Sequence, residues 1–132
     1  MTGPAEASSA RLPIVDGDSA PYWAAAAEGR LTAQCCGACG RFVFHPRSLC
    51  PYCHRSDLTW RDLSGSGTVY SYTITRRAPS PEFAALVPYV VALVDLDEDL
   101  RLMTHVVGPD ALRVRCGDRV RVRFESVAPD RA

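Results

Sequence analysis

Alternation of apolar and polar positions dominates this chain, and helical periodicity is scarce. Thr68-Val69-Tyr70-Ser71-Tyr72-Thr73-Ile74-Thr75 is rich in β-branched and aromatic residues and predicts a strand. Tyr89 to Asp95 and Leu100 to Val107 predict two more, joined by the acidic turn Leu96-Asp97-Glu98-Asp99. Arg119-Val120-Arg121-Val122-Arg123-Phe124-Glu125 alternates strictly, which places Val120, Val122 and Phe124 inward and three arginines outward. Between them, Pro109-Asp110-Ala111-Leu112 predicts one helical turn. Earlier in the chain, Leu31 to Gln34, Arg41 to Phe44 and Leu58 to Leu63 are shorter strand segments. One short helix is expected over Pro21 to Glu28, with Ser19 as its N-cap and Gly29 as its stop. That helix is too short to stand alone, so Tyr22 and Trp23 must pack on this chain or on a partner.

Domain boundaries follow from the texture. Residues 1–18, rich in Ala, Ser, Gly and Asp, read as a flexible arm, residues 19–63 as the helix with the short strands, and residues 64–132 as the long β segments. Ser64-Gly65-Ser66-Gly67 marks the joint. Short strands with turns between them and no βαβ rhythm predict a mainly β fold whose second part is a small closed barrel of the OB type.

Chemistry enters through the cysteines. Of the six, four form Cys36-Gly37-Ala38-Cys39 and Cys50-Pro51-Tyr52-Cys53. Two residues between cysteines let both sulfurs of a tight turn face one ion, and two such turns complete a tetrahedron. In a reducing compartment this pattern reads as metal ligation rather than a disulfide framework. Four thiolates favour zinc, with iron the close chemical rival, and a closed four-ligand site is structural. The two turns together therefore predict a zinc ribbon with Cys36, Cys39, Cys50 and Cys53 as ligands. Cys35 is a free neighbour, and Cys116, before Gly117-Asp118, reads as a small buried hydrophobe. His45, His54 and His105 have no sequence neighbours that would give them a catalytic role.

Charge narrows the function. The 132 residues carry 15 basic and 15 acidic side chains, and every basic one is Arg. Such balance disfavours a chain that lives on phosphate contacts. The longest apolar run, Tyr89 to Val94, is too short to cross a bilayer, and no secretory signal is visible, so a soluble cytoplasmic chain is expected. Arg76 to Pro88 is a long connection with three prolines and apolar Phe83, Leu86 and Val87, read as a lid over the barrel or a contact surface for a partner or acyl ligand.

The order of these motifs is similar to a known family. Pro21-Tyr22-Trp23 with Gly29-Arg30-Leu31, Cys36-Gly37-Ala38-Cys39-Gly40-Arg41, Pro46-Arg47, Cys50-Pro51-Tyr52-Cys53, Gly65-Ser66-Gly67-Thr68-Val69-Tyr70-Ser71-Tyr72-Thr73 and Pro88 to Val94 carry the likeness. The chain resembles the zinc-ribbon and OB-fold acyl-CoA-associated proteins, long known as domain of unknown function thirty-five. The likeness implies a rubredoxin-like zinc ribbon followed by an OB-fold, one structural zinc, and a non-catalytic subunit that partners a thiolase-fold enzyme, an aldolase or a thiolase. It further implies shared contact with an acyl-CoA thioester, steroid side-chain degradation as the setting, and a two-plus-two assembly. Tyr22, Trp23, Phe83 and Leu86 are then the expected partner interface, with Arg76 and Arg77 near the CoA. No catalytic residues are expected in this chain, because no paired carboxylates, Ser-His or Cys-His set, or phosphate-cradling glycine loop stands out.

Two other classes compete. A nucleic-acid-binding module would use Tyr70 and Tyr72 for stacking and Arg113, Arg115, Arg119, Arg121 and Arg123 for phosphates. A rubredoxin-like electron carrier would hold iron at the four cysteines, though its barrel would be superfluous.

Overall fold

The computed structural model describes residues 13–125. They form two compact units, one running to Gly65 and including the chain from Val122, the other spanning Ser66–Arg121. The residues assigned above to the arm lie mostly outside the described part.

The first unit opens with helix α1, Ala20–Ala27. Ser19 does not cap it: its backbone is already helical, and its side chain makes no bond to the helix. Instead Ser19 and Asp16 bind each other, the Ser19 N–H donating to Asp16 Oδ1 at 2.7 Å and the Asp16 N–H donating to Ser19 Oγ at 3.1 Å. The expected stop is present. Gly29 takes φ +79°, and the N–H groups of Gly29 and Arg30 close the last turn on the carbonyls of Ala26 and Ala25.

Strands β1 (Thr32–Cys36), β2 (Phe42–Val43) and β3 (Leu58–Asp62) follow, in the antiparallel order β2-β1-β3. β1 is buried along its whole length because it lies between the other two strands and beneath α1, whose Ala25 and Ala26 are also buried. Arg30 ties the end of the helix to the sheet, reaching Asp62 at 2.7 Å and Glu28 at 3.0 Å.

The second unit is a four-stranded antiparallel sheet in the order β6-β5-β4-β7, with β4 at Ser66–Thr75, β5 at Tyr89–Leu96, β6 at Leu100–Val106 and β7 at Arg119–Arg121. The acidic turn after Leu96 makes the β5–β6 hairpin, and the predicted helical turn is a 3-10 turn at Ala111–Arg113. Gly67 is needed where β4 meets β5: a Cβ there would lie 2.7 Å from the Asp95 carbonyl oxygen and 2.8 Å from Val94 Cγ1. The core is one face of this sheet, with Val69, Val90, Ala92, Val94, Leu96 and Leu100 buried.

Closure into a barrel does not occur among the described residues; β6 and β7 are edges. The strict alternation after Arg119 yields only three residues of strand, with one further backbone bond in the same register at Val122. There the Val122 N–H donates to the Gly65 carbonyl at 2.7 Å, and its side chain is 37% exposed rather than inward.

Candidate metal centre and partner surface

The two cysteine turns are built alike. The N–H of Gly40 donates to the Cys36 carbonyl and the N–H of His54 to that of Cys50, both at 2.8 Å. The Cys36 N–H returns to the Arg41 carbonyl at 2.9 Å, and the Cys50 N–H to that of Arg55 at 2.8 Å. The residue after each second cysteine must go left-handed to close this loop, and Gly40 and His54 do so at φ +76° and +64°. His54 is thus a turn residue and not a ligand.

The loops bring the four sulfurs together. All lie within 4.8 Å of one another, with Cys36 Sγ 3.5 Å from Cys53 Sγ and Cys39 Sγ 3.7 Å from Cys50 Sγ. A tetrahedral zinc with bonds near 2.3 Å requires sulfurs about 3.8 Å apart. The residues fit the ion, and the four thiolates leave no position for substrate, so the zinc is structural. Burial pushes the Cys50 thiol up, but the N–H groups of Cys53 and Tyr52 and the neighbouring thiols outweigh it and bring it to about 7. Cys53 is pushed up to about 11: the Arg55 N–H lowers it, and burial with proton sharing among Cys36, Cys50 and Cys39 wins. Crowded thiols of this kind shed their protons when a dication arrives. Cys35 points away from the cluster, its thiol 3.8 Å from the Gly40 carbonyl. Cys116 is exposed, because it sits in the turn that Asp118 closes by accepting from the Arg115 N–H at 2.8 Å; the expectation of a buried hydrophobe is corrected.

The expected interface residues fall in both units. Tyr22 and Trp23 are half-buried, their rings 4.9 Å apart and edge-on, with Phe44 6.1 Å from Tyr22. In the second unit Phe83 lies in a 3-10 turn, Pro81–Phe83, with its ring 5.9 Å from Tyr89, which stacks on His105 at 5.0 Å. Leu86 is exposed, as are Arg76 and Arg77.

Sequence reasoning missed the outer face of the β6-β5-β4 sheet. Register sets Val91 beside His105, Leu93 beside Met103 and Asp95 beside Arg101. Met103 is 74% exposed, so the face has an apolar middle. Its edge is polar and internally neutralised: Arg101 binds Asp95 at 2.6 Å while lying 3.6 Å over the Tyr70 ring, and Arg119 binds Asp97 at 2.8 Å. The signal was available, since Tyr89 to Leu96 is apolar at nearly every position, so the strand carries apolar side chains on both faces. The bulge at Tyr70, between Val69 and Ser71, turns that ring out under Arg101.

Three of the five arginines named for phosphate binding lie beside carboxylates. Arg113 lies 4.0 Å from Asp110, Arg119 binds Asp97, and Arg123 lies 3.5 Å from Glu125. No helix among the described residues is long and apolar enough to cross a membrane.

Residues 23–59 match the rubredoxin-like zinc ribbon domain of ChsH2, and residues 60–125 match the ChsH2 C-terminal OB-fold domain. The chain belongs to the ChsH2 family of DUF35 proteins. A solved structure named "Ltp2-ChsH2(DUF35) aldolase" is similar over 91% of this chain and 93% of that one, with 35% identity and a TM-score of 0.79. A "DUF35 domain-containing scaffold protein" of Methanothermobacter thermautotrophicus is 37% identical over 98 residues, 74% of this chain and 73% of that protein. A "Probable enoyl-CoA hydratase alpha subunit" of Thermomonospora curvata is 39% identical over 104 residues, 77% of this chain, and the chain spans only 32% of that relative's length.

Proposed function

We propose that this ChsH2-family chain is a non-catalytic subunit that binds and stabilises a thiolase-fold enzyme, an aldolase or a thiolase, and helps hold its acyl-CoA thioester. The observation that carries the reading is the likeness, over nearly the full length of both chains, to the DUF35 component named with an aldolase. The four cysteines are taken by the metal, and His105 is stacked on Tyr89.

The surface supports a partner. The apolar middle of Val91, Leu93 and Met103, with aromatic Tyr89 and Phe83 beside it and paired charges around it, has the anatomy of an interface core with a polar rim. Tyr22 and Trp23 in the ribbon unit, and Leu86 beside Phe83, are further anchors. Arg76 and Arg77 supply cations for the CoA phosphates. The assembly is two copies of this chain on a dimeric enzyme, and the acyl group is a steroid side chain.

The test is reconstitution. The purified chain alone is expected to show no turnover on acyl-CoA thioesters, and the chain mixed with a thiolase-fold protein from its own genome is expected to form a stable complex with retro-aldol or thiolytic activity. Turnover by the isolated chain, abolished by Cys116→Ala or His105→Ala, would overturn the reading.

A further inference from the structure

Gln34 is an anomaly. Glutamine is ordinarily a surface residue, yet this one sits in the centre of β1 at 7% exposure, paired in register with Val43 on one side and Trp60 on the other. A buried amide must find partners. Its partners are the main chain of one residue: Nε2 donates to the Arg47 carbonyl at 2.8 Å, and Oε1 accepts from the Arg47 N–H at 2.8 Å. A side-chain amide presents one donor and one acceptor on the same side, as the N–H and C=O of one residue in an extended strand do. Gln34 therefore gives Arg47 the pair of bonds that a neighbouring strand would give.

The place of this clamp is what matters. β2 ends at Val43, and the chain then runs off the sheet towards Cys50. Arg47 stands three residues before Cys50, and Gln34 two residues before Cys36. Three residues of chain reach at most about 10 Å. Fixing Arg47 to β1 thus confines Cys50 and Cys53 to the neighbourhood of Cys36 before any ion is bound.

We propose that Gln34 is the positioning residue of the zinc centre, clamping the loop before the second cysteine turn so that Cys50 and Cys53 meet Cys36 and Cys39. It does not touch the metal. It sets the rate at which one half of the ligand set leaves the other. The clamp and the four sulfurs it serves all belong to this chain, whether or not a partner binds it.

The experiment uses the full-length, zinc-loaded chain. Zinc transfer to excess 4-(2-pyridylazo)resorcinol is timed, and iodoacetamide labelling of each cysteine is followed by mass spectrometry. Gln34→Leu removes both bonds; Gln34→Glu keeps the shape and the acceptor but cannot donate to the Arg47 carbonyl. Release from Gln34→Leu is expected to be roughly 10- to 100-fold faster, in line with other residues that orient metal ligands, with Gln34→Glu between it and the parent. Cys50 and Cys53 are expected to be alkylated ahead of Cys36 and Cys39 in both variants, whereas a general loss of stability exposes all four together. Release within twofold of the parent in both variants, or one common alkylation rate for the four cysteines, would overturn the proposal. If Gln34→Leu does not fold, Gln34→Glu decides alone.

Discussion

Two adjacent cysteines should give opposite results. Cys36→Ser removes one of four thiolates whose sulfurs lie within 4.8 Å of one another. Zinc supplies on the order of 10–16 kcal/mol to small zinc modules, as much as the whole stability of an ordinary domain at about 5–15 kcal/mol. Little else could replace it, because the cluster of buried side chains here is Val43 with Cys36 and Cys50, supported by Cys53 and Leu58. Three of those five are themselves ligands. The variant is therefore expected to lose zinc and most of its soluble yield. Cys35→Ser alters only a weak contact to the Gly40 carbonyl at 3.8 Å, at a buried position 4% exposed. Setting a hydroxyl there costs about 1–3 kcal/mol, and zinc is retained. Elemental analysis after gel filtration, with circular dichroism on the same samples, reads both. Full zinc occupancy in Cys36→Ser, or zinc loss in Cys35→Ser, would refute the ligand assignment.

Gly67→Ala is expected to destabilise the sheet of the second unit by about 1–3 kcal/mol, since the backbone oxygen of Asp95 cannot yield as a side chain could; urea unfolding followed by circular dichroism measures it. The hydrogen bond and charge of Arg119 hold the Asp97 carboxyl below its usual 3.8, and Arg101 does the same for Asp95. With folded values depressed, this contribution is complete above 3.8 and is lost as pH falls through the lowered values, so Asp97→Asn should flatten that acid limb relative to the parent. Met103→Asp or Phe83→Asp should weaken binding to the thiolase-fold partner while zinc content stays intact, and Trp23→Ala should do so from the ribbon side. Arg76→Ala should instead raise the KM of the complex for its CoA thioester.

What the sequence made legible was local. Cysteine spacing is a geometric constraint within each turn, so Cys36, Cys39, Cys50 and Cys53 could be named before any fold was known. Alternation located β4, β5 and β6 within a residue or two. What escaped depended on distant partners. Val122 and Phe124 fit a strand pattern, but β4 begins at Ser66, so beyond the bond from Val122 to Gly65 the alternating segment has no strand to pair with. Cys116 looked like core because cysteine usually is, yet Gly117 and Asp118 made a turn around it. The outer face of β5 was hidden by its own richness in apolar residues, which marked a strand without marking a second apolar face. Gln34 gave a faint signal, a polar residue amid a buried strand, whose meaning lay thirteen residues away at Arg47.

The central claim is that this chain works as the partner of a thiolase-fold enzyme. Native mass spectrometry of the chain co-expressed with the thiolase-fold proteins of its own genome tests it most directly. The account predicts one assembly containing two copies of each subunit and one zinc per copy of this chain. A monodisperse monomer that binds none of them, together with salt-sensitive binding of a labelled oligonucleotide, would contradict it.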